Sequence, residues 1–145
     1  MNKTFTKLLV LAVLIVTSFS ACVKSTNTLS YTKDNLVGTY TIVSIKSKAS
    51  NGPEQDVTTS ILSPCQLDDQ TILRNDYTSI YVDAGVKCTT DGGYSDTWEL
   101  DGNVLSVDGN DFVIISLTKT TLVLQQINMV AGLQITETIT YNRSY

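Results

Sequence analysis

The residues able to carry chemistry in this chain are few. It has no histidine among its 145 residues, three cysteines, and 14 Asp and Glu against 10 Lys and Arg. Without histidine, the Ser-His-Asp and Cys-His arrangements of nucleophilic catalysis cannot be built from this chain, and histidine-based zinc sites are excluded as well. Paired carboxylates can do acid–base work, but most acids here fall in expected turns. Asp101-Gly102-Asn103 and Asp108-Gly109-Asn110 superficially suggest calcium, yet lack the run of oxygen donors ending in a glutamate that a calcium loop uses. Turn formation accounts for both. The residues therefore point away from an enzyme and imply neither metal nor cofactor.

The start of the chain reads as an address. Lys3 and Lys7 precede an uncharged run, LLVLAVLIV, over residues 8–16. That run is shorter than the about 20 residues a membrane-spanning helix needs, and a short apolar core after a basic start marks a secretory signal. It ends in Ser18-Phe19-Ser20-Ala21-Cys22, which resembles the lipobox of bacterial lipoproteins, with Phe19 where leucine is usual. The resemblance implies a signal peptide over residues 1–21, a diacylglycerol on the Cys22 sulfur and an acyl chain on its new amino group. More than one acyl chain gives stable membrane attachment. The alternative is an ordinary signal cut nearby that leaves Cys22 as a thiol. Val23 replaces the aspartate that retains some lipoproteins at the inner membrane, and no acidic export run follows. The expected location is the outer membrane, facing the periplasm. Residues 22–35 are polar and without periodicity, and read as a flexible tether.

With Cys22 assigned to the lipid, Cys65 and Cys88 remain. In an oxidising compartment two such cysteines pair as a structural disulfide. A metal or redox pair is the alternative, although the two lack the close spacing of such sites. Loss of Lys3 and Lys7 with the signal leaves eight basic residues against 14 acidic ones, a net charge of −6. That is opposite to the basic face a nucleic-acid partner requires.

Residues 36–145 must position whatever site exists, and their length suits one domain. Thr, Val and Ile crowd this region, punctuated by Gly, Asn and Asp. Strands are expected over residues 39–47, 70–74, 77–82, 95–100, 104–107, 111–117, 121–127 and 133–141. In the first, the apolar parity moves from Tyr40 and Ile42 to Val43 and Ile45, the mark of a bulge. Residues 54–62, bracketed by Pro53 and Pro64, could hold one helical turn. Eight strands with short connections favour an all-β, antiparallel, up-and-down barrel, with an open two-sheet β-sandwich as the alternative.

Several motifs in order along residues 36–143 sharpen this reading. They are Leu36-Val37-Gly38-Thr39-Tyr40, Pro64-Cys65-Gln66-Leu67-Asp68-Asp69, Cys88, the hairpin from Thr97 through Trp98, Gly102 and Leu105, and Leu117-Thr118-Lys119-Thr120-Thr121-Leu122-Val123-Leu124. Together they resemble the small lipocalin-like domain of bacterial lipoproteins, with Tyr40 where tryptophan is usual. The resemblance implies a calyx-like barrel and no particular ligand. Closure would set the last strand antiparallel to the first and bring Arg143 to Tyr40, where a cation can cap an aromatic face; the alternative is an Arg143 exposed at a frayed end.

Glu137 is the candidate for ligand contact, because it shares parity with Leu133, Ile135, Ile139 and Tyr141. An unpaired charge on an apolar face is costly. It would bond a ligand or pair with Arg74 inside the barrel; a twisted strand or an open mouth explains it equally. Tyr77, Tyr81 and Tyr94 either line a mouth or pack on the sheet. The uncharged segment Asn128-Met129-Val130-Ala131-Gly132 is either a partner-binding tip or a partly buried turn. Two functions compete: a lipid-anchored module holding a small apolar ligand, and a filled barrel acting on a protein through its loops, as a protease inhibitor would. Mass spectrometry of the mature N-terminus is expected to show Cys22 as the first residue with acyl chains attached; an unmodified thiol there would remove the membrane anchor.

Overall fold

The computed structural model describes residues 27–88, 90 and 92–145. The signal segment and Cys22 lie outside the described residues. A short helix α1 (Lys33–Leu36) leads into strand β1 (Gly38–Ala49), followed by β2 (Glu54–Asp56), a helical turn α2 (Thr58–Ile61) and a 3-10 turn (Pro64–Gln66). The remaining strands are β3 (Gln70–Leu73), β4 (Thr78–Val82), β5 (Gly93–Asp101), β6 (Val104–Val107), β7 (Asn110–Leu117), β8 (Thr121–Val130) and β9 (Leu133–Ser144). All belong to one antiparallel sheet in the order β2-β1-β3-β4-β5-β6-β7-β8-β9, with β1 also pairing β9. That pairing closes eight strands into an up-and-down barrel, so the open sandwich is set aside; β2 is a three-residue addition to the far end of β1.

Local chemistry explains these elements. The parity change in β1 is a bulge, with the register shifting between Ile42 and Ser44 and Val43 turned out to solvent. Asp108 and Gly109 both have positive φ (52° and 75°) and link Val107 to its partner Asn110, the backbone a two-residue hairpin needs. The helical turn expected over residues 54–62 begins only at Thr58. Glu54 instead extends the ladder beside β1 and its carboxylate meets Lys46 Nζ at 3.1 Å. Asp56 Oδ1 accepts from Thr58 N at 3.0 Å, a side-chain turn that separates strand from helix.

The tether reading of residues 22–35 needs correction from Thr28 onward. Thr28 forms a bridge with Thr118, Leu29 N donates to Leu117 O at 2.8 Å, and Leu29 and Tyr31 pack against the core. Thr32 caps α1, accepting from Asn35 N, and Leu36 at its end is fully buried. Isolated apolar residues in a polar stretch have no period to read, so only the assembled barrel shows what they cover.

They cover the closed end. Leu36, Tyr40, Leu73, Trp98, Leu105, Leu117 and Leu122 form its core with Ile114 and Leu124, and Trp98 Nε1 donates to Arg74 O at 2.9 Å. Tyr40 and Arg143 are direct cross-strand partners. Arg143 is only 4% exposed; its guanidinium donates to Thr118 O (3.2 Å), Tyr145 OH (2.7 Å) and Val37 O (3.0 Å). The aromatic face beneath it is that of Tyr145, at 4.3 Å, not that of Tyr40 as expected. The Tyr40 hydroxyl donates to Leu36 O at 2.5 Å and lies close enough to the Arg143 guanidinium to feel its charge. Gly38 makes room for this arrangement: a Cβ there would lie 3.1 Å from Ser144 O and 3.2 Å from Arg143 Nε.

Removing Arg143 takes one charged donor from three acceptors contributed by three segments. Arg143→Ala is expected to destabilise the fold by about 3 kcal/mol, read as a lower urea midpoint, and Arg143→Lys should recover little because an ammonium lacks the planar fork.

Candidate functional site

Strand lengths are unequal, and this shapes the other end. β6 has four residues, whereas β8 and β9 have ten and twelve. The Asp108-Gly109 turn therefore stands level with the middle of β5, where Asp108 N donates to Thr97 O at 3.1 Å. Above this low section of wall the interior opens into a cavity of about 190 Å³. Its apolar walls include Leu73, Leu105, Phe112, Leu122, Leu124 and Tyr141, and Tyr94, Asp108, Asn110 and Thr71 supply polar groups. The volume is below the ~300–1,000 Å³ of pockets for drug-sized ligands, so it suits a small molecule or the end of a longer one.

The mouth is a hydrogen-bonded set of hydroxyls and carboxylates. Asp108 accepts from Ser79 Oγ through one oxygen and from Tyr94 OH, at 3.0 Å, through the other. Tyr94 stacks on Tyr81, with ring centroids 5.2 Å apart, and the Tyr81 hydroxyl donates to buried Asp69. Asp69 also accepts from Ala84 N at 3.1 Å, and neighbouring Asp68 accepts from Val86 N at 3.1 Å. These bonds hold the β4–β5 connection against the segment before β3. The Cys65–Cys88 disulfide joins the same two segments, with Cα atoms 5.4 Å apart.

This geometry is that of a calyx. The sequence pattern of a lipocalin-like domain matches residues 36–124. The chain belongs to the lipocalin-like domain family. No curated protein and no solved structure matches it. The matched span stops within β8, yet the barrel is completed by β9, which pairs along its length with both β8 and β1.

The lipocalin-like barrel sorts the candidate residues. Glu137 lies opposite Ser47 and Gln126, half-buried on the parity of Tyr141, but it does not line the cavity. Its expected pairing with Arg74 does not form: Arg74 is exposed near the closed end, and the ion pair found among the described residues is Lys46–Glu54. Tyr77 is also outside the cavity. Its positive φ of 65° places it before β4, its ring 5.2 Å from Trp98 and 4.7 Å from Lys33 Nζ. Tyr81 stands behind Tyr94 and supports it, while Tyr94 itself lines the cavity. Asp108 was legible only as a turn residue. The signal for its second role is the shortness of β6, which sets that turn at cavity height. Asp69, Asp83 and Cys88 offer ligand atoms within 4.8 Å of one another, but the Cys88 sulfur is bonded to Cys65, and two carboxylates fall short of the six or so oxygens a calcium ion takes.

Burial governs the tyrosines. It is the main cause raising the Tyr40 and Tyr141 hydroxyls from 10.0 to about 12, with Arg143 partly offsetting it at Tyr40. Tyr81 and Tyr94 are raised first by burial, then by their hydrogen bonds to Asp69 and Asp108 and by the charge of those carboxylates. Between pH 10 and 12 the unfolded chain releases phenolic protons that the fold retains, so stability falls as pH rises through this window. Thermal melts should hold up to about pH 9 and then drop, with buried Tyr141 contributing up to about 1.4 kcal/mol per pH unit and the more exposed Tyr81 and Tyr94 contributing less, because solvent screens them. Tyr141→Phe is expected to shallow that drop.

Proposed function

We propose that this lipocalin-like domain is a non-catalytic carrier of a small, largely apolar ligand, anchored through Cys22 to the outer membrane of a bacterial envelope. The observation that carries the binding reading is the cavity of about 190 Å³, walled by Leu105, Leu122, Leu124, Phe112 and Tyr141 and open above the β6–β7 turn. A purely packed barrel would fill that space, since protein interiors keep few voids larger than a water molecule. The lipobox-like sequence before Cys22 supports the anchor, and the disulfide suits an oxidising compartment.

One observation favours a second reading, in which loops engage a protein. The β8–β9 hairpin tip is not a partly buried turn: Met129 is 69% exposed, with Ile127, Val130 and Leu133 also open to solvent. Exposed apolar patches mark interaction sites.

Native mass spectrometry of the protein purified from its own host separates the two. The carrier reading expects a stoichiometric added mass that denaturation releases and that Phe112→Trp, which extends an indole into the cavity, reduces. A bare mass under gentle conditions, together with retention of a protein partner that Met129→Asp abolishes, would move the function to the hairpin tip.

A further inference from the structure

The polar groups of the cavity restrict which ligand its apolar walls can hold. Among the described residues, the lining contains a carboxylate, Asp108, and neither lysine nor arginine. Both Asp108 oxygens accept bonds, but only from the neutral hydroxyls of Ser79 and Tyr94, which orient the charge without cancelling it. A carboxylate has about four lone-pair sites, so capacity remains for a donor arriving from the cavity. Tyr94, 56% exposed, keeps much of its ring open beside that carboxylate.

The surroundings have the same sign. The charges of Asp69 and Asp83 act on Tyr81, and those of Asp96 and Asp108 act on Tyr94. Of the basic side chains at the open end, Lys46 pairs with Glu54 on the outer edge, Lys87 Nζ donates to the backbone oxygen of Asp83, and Lys48, on the same exposed face of β1 as Lys46, does not line the cavity. A wall of leucines and aromatic rings with a carboxylate and a tyrosine at its mouth suits an apolar body ending in a cation. The ammonium would bond the carboxylate and lie against the ring, a pairing that gains strength when water is excluded. A carboxylate ligand, such as a fatty acid, would meet repulsion at the same place.

Resting on the carrier reading, we infer that the calyx selects small apolar amines, with Asp108 and Tyr94 receiving the ammonium group and the leucine-lined cavity receiving the apolar body.

Three probes of nearly equal size test this: phenethylamine, phenethyl alcohol and phenylacetate, titrated into the full chain by calorimetry. The amine is expected to bind about tenfold more tightly than the alcohol, and phenylacetate most weakly. In Asp108→Asn the ratio of amine to alcohol affinity should fall to near one. Asparagine tolerates the left-handed backbone at this position, and a thermal melt checks that the variant folds. Should it not fold, Asn110→Asp, which adds a second carboxylate to the lining, is expected to raise the ratio. Alcohol or phenylacetate binding as tightly as the amine would overturn the selection while leaving the carrier reading intact. An amine preference that survives Asp108→Asn would also overturn it. If none of the three binds, the amine inference falls, and the carrier reading stands or falls on the native mass measurement.

Discussion

The structure depends on the seam between β1 and β9. β1 pairs with β3 on one side and β9 on the other, so among the described residues no long strand edge of the barrel is left unpaired, which is how small β proteins avoid edge-to-edge association. The seam needs a fastening at the end where the strands converge, and Arg143 supplies it. Its fork reaches Thr118, Tyr145 and Val37, joining the β7–β8 turn, the C-terminus and the start of β1. Such a buried charge is tolerable because several oxygens surround it. Gly38 lacks a side chain where the arginine passes, and α1 with Leu36 closes the space below.

Closing one end firmly leaves the other free to open. Strands of equal length would give an even rim and a uniformly filled interior. Here the short β6 ends opposite the middle of β5, which runs on past it, so one section of wall is lowered. The cavity occupies that gap. Connections at this end are held by polar bonds and a covalent bridge: Asp68 and Asp69 bind the backbone after β4, and Cys65–Cys88 ties the same segments. The mouth is therefore shaped by hydrogen bonds and a disulfide, and the base by apolar packing around the hydrogen-bonded Arg143.

This division also separates the electrostatics. The buried Arg143 cation at the closed end spends its fork on oxygens of the fold itself, whereas the carboxylates near the mouth are held by hydroxyl and amide donors that leave their charge in place. The stacked tyrosines beside those carboxylates hold their phenolic protons to higher pH than a free tyrosine, through burial first and the neighbouring carboxylates second.

Sequence alone determined much of the wall. Alternating apolar residues, Asp-Gly-Asn turns and short connections located all eight barrel strands, and the parity change between Ile42 and Val43 located the bulge, because strand period and turn backbone are local properties. Absence of histidine and the acidic balance likewise need no coordinates. The site was not local. Glu137 stood out by parity yet lies away from the cavity, Tyr77 turned outward through a positive φ, and Asp108 looked like turn chemistry alone. Residues 28–35 gave no periodic signal and still dock on the base. Which side chains share a cavity depends on relative strand lengths and on closure across about a hundred residues of chain, and those quantities exist only in the assembled barrel.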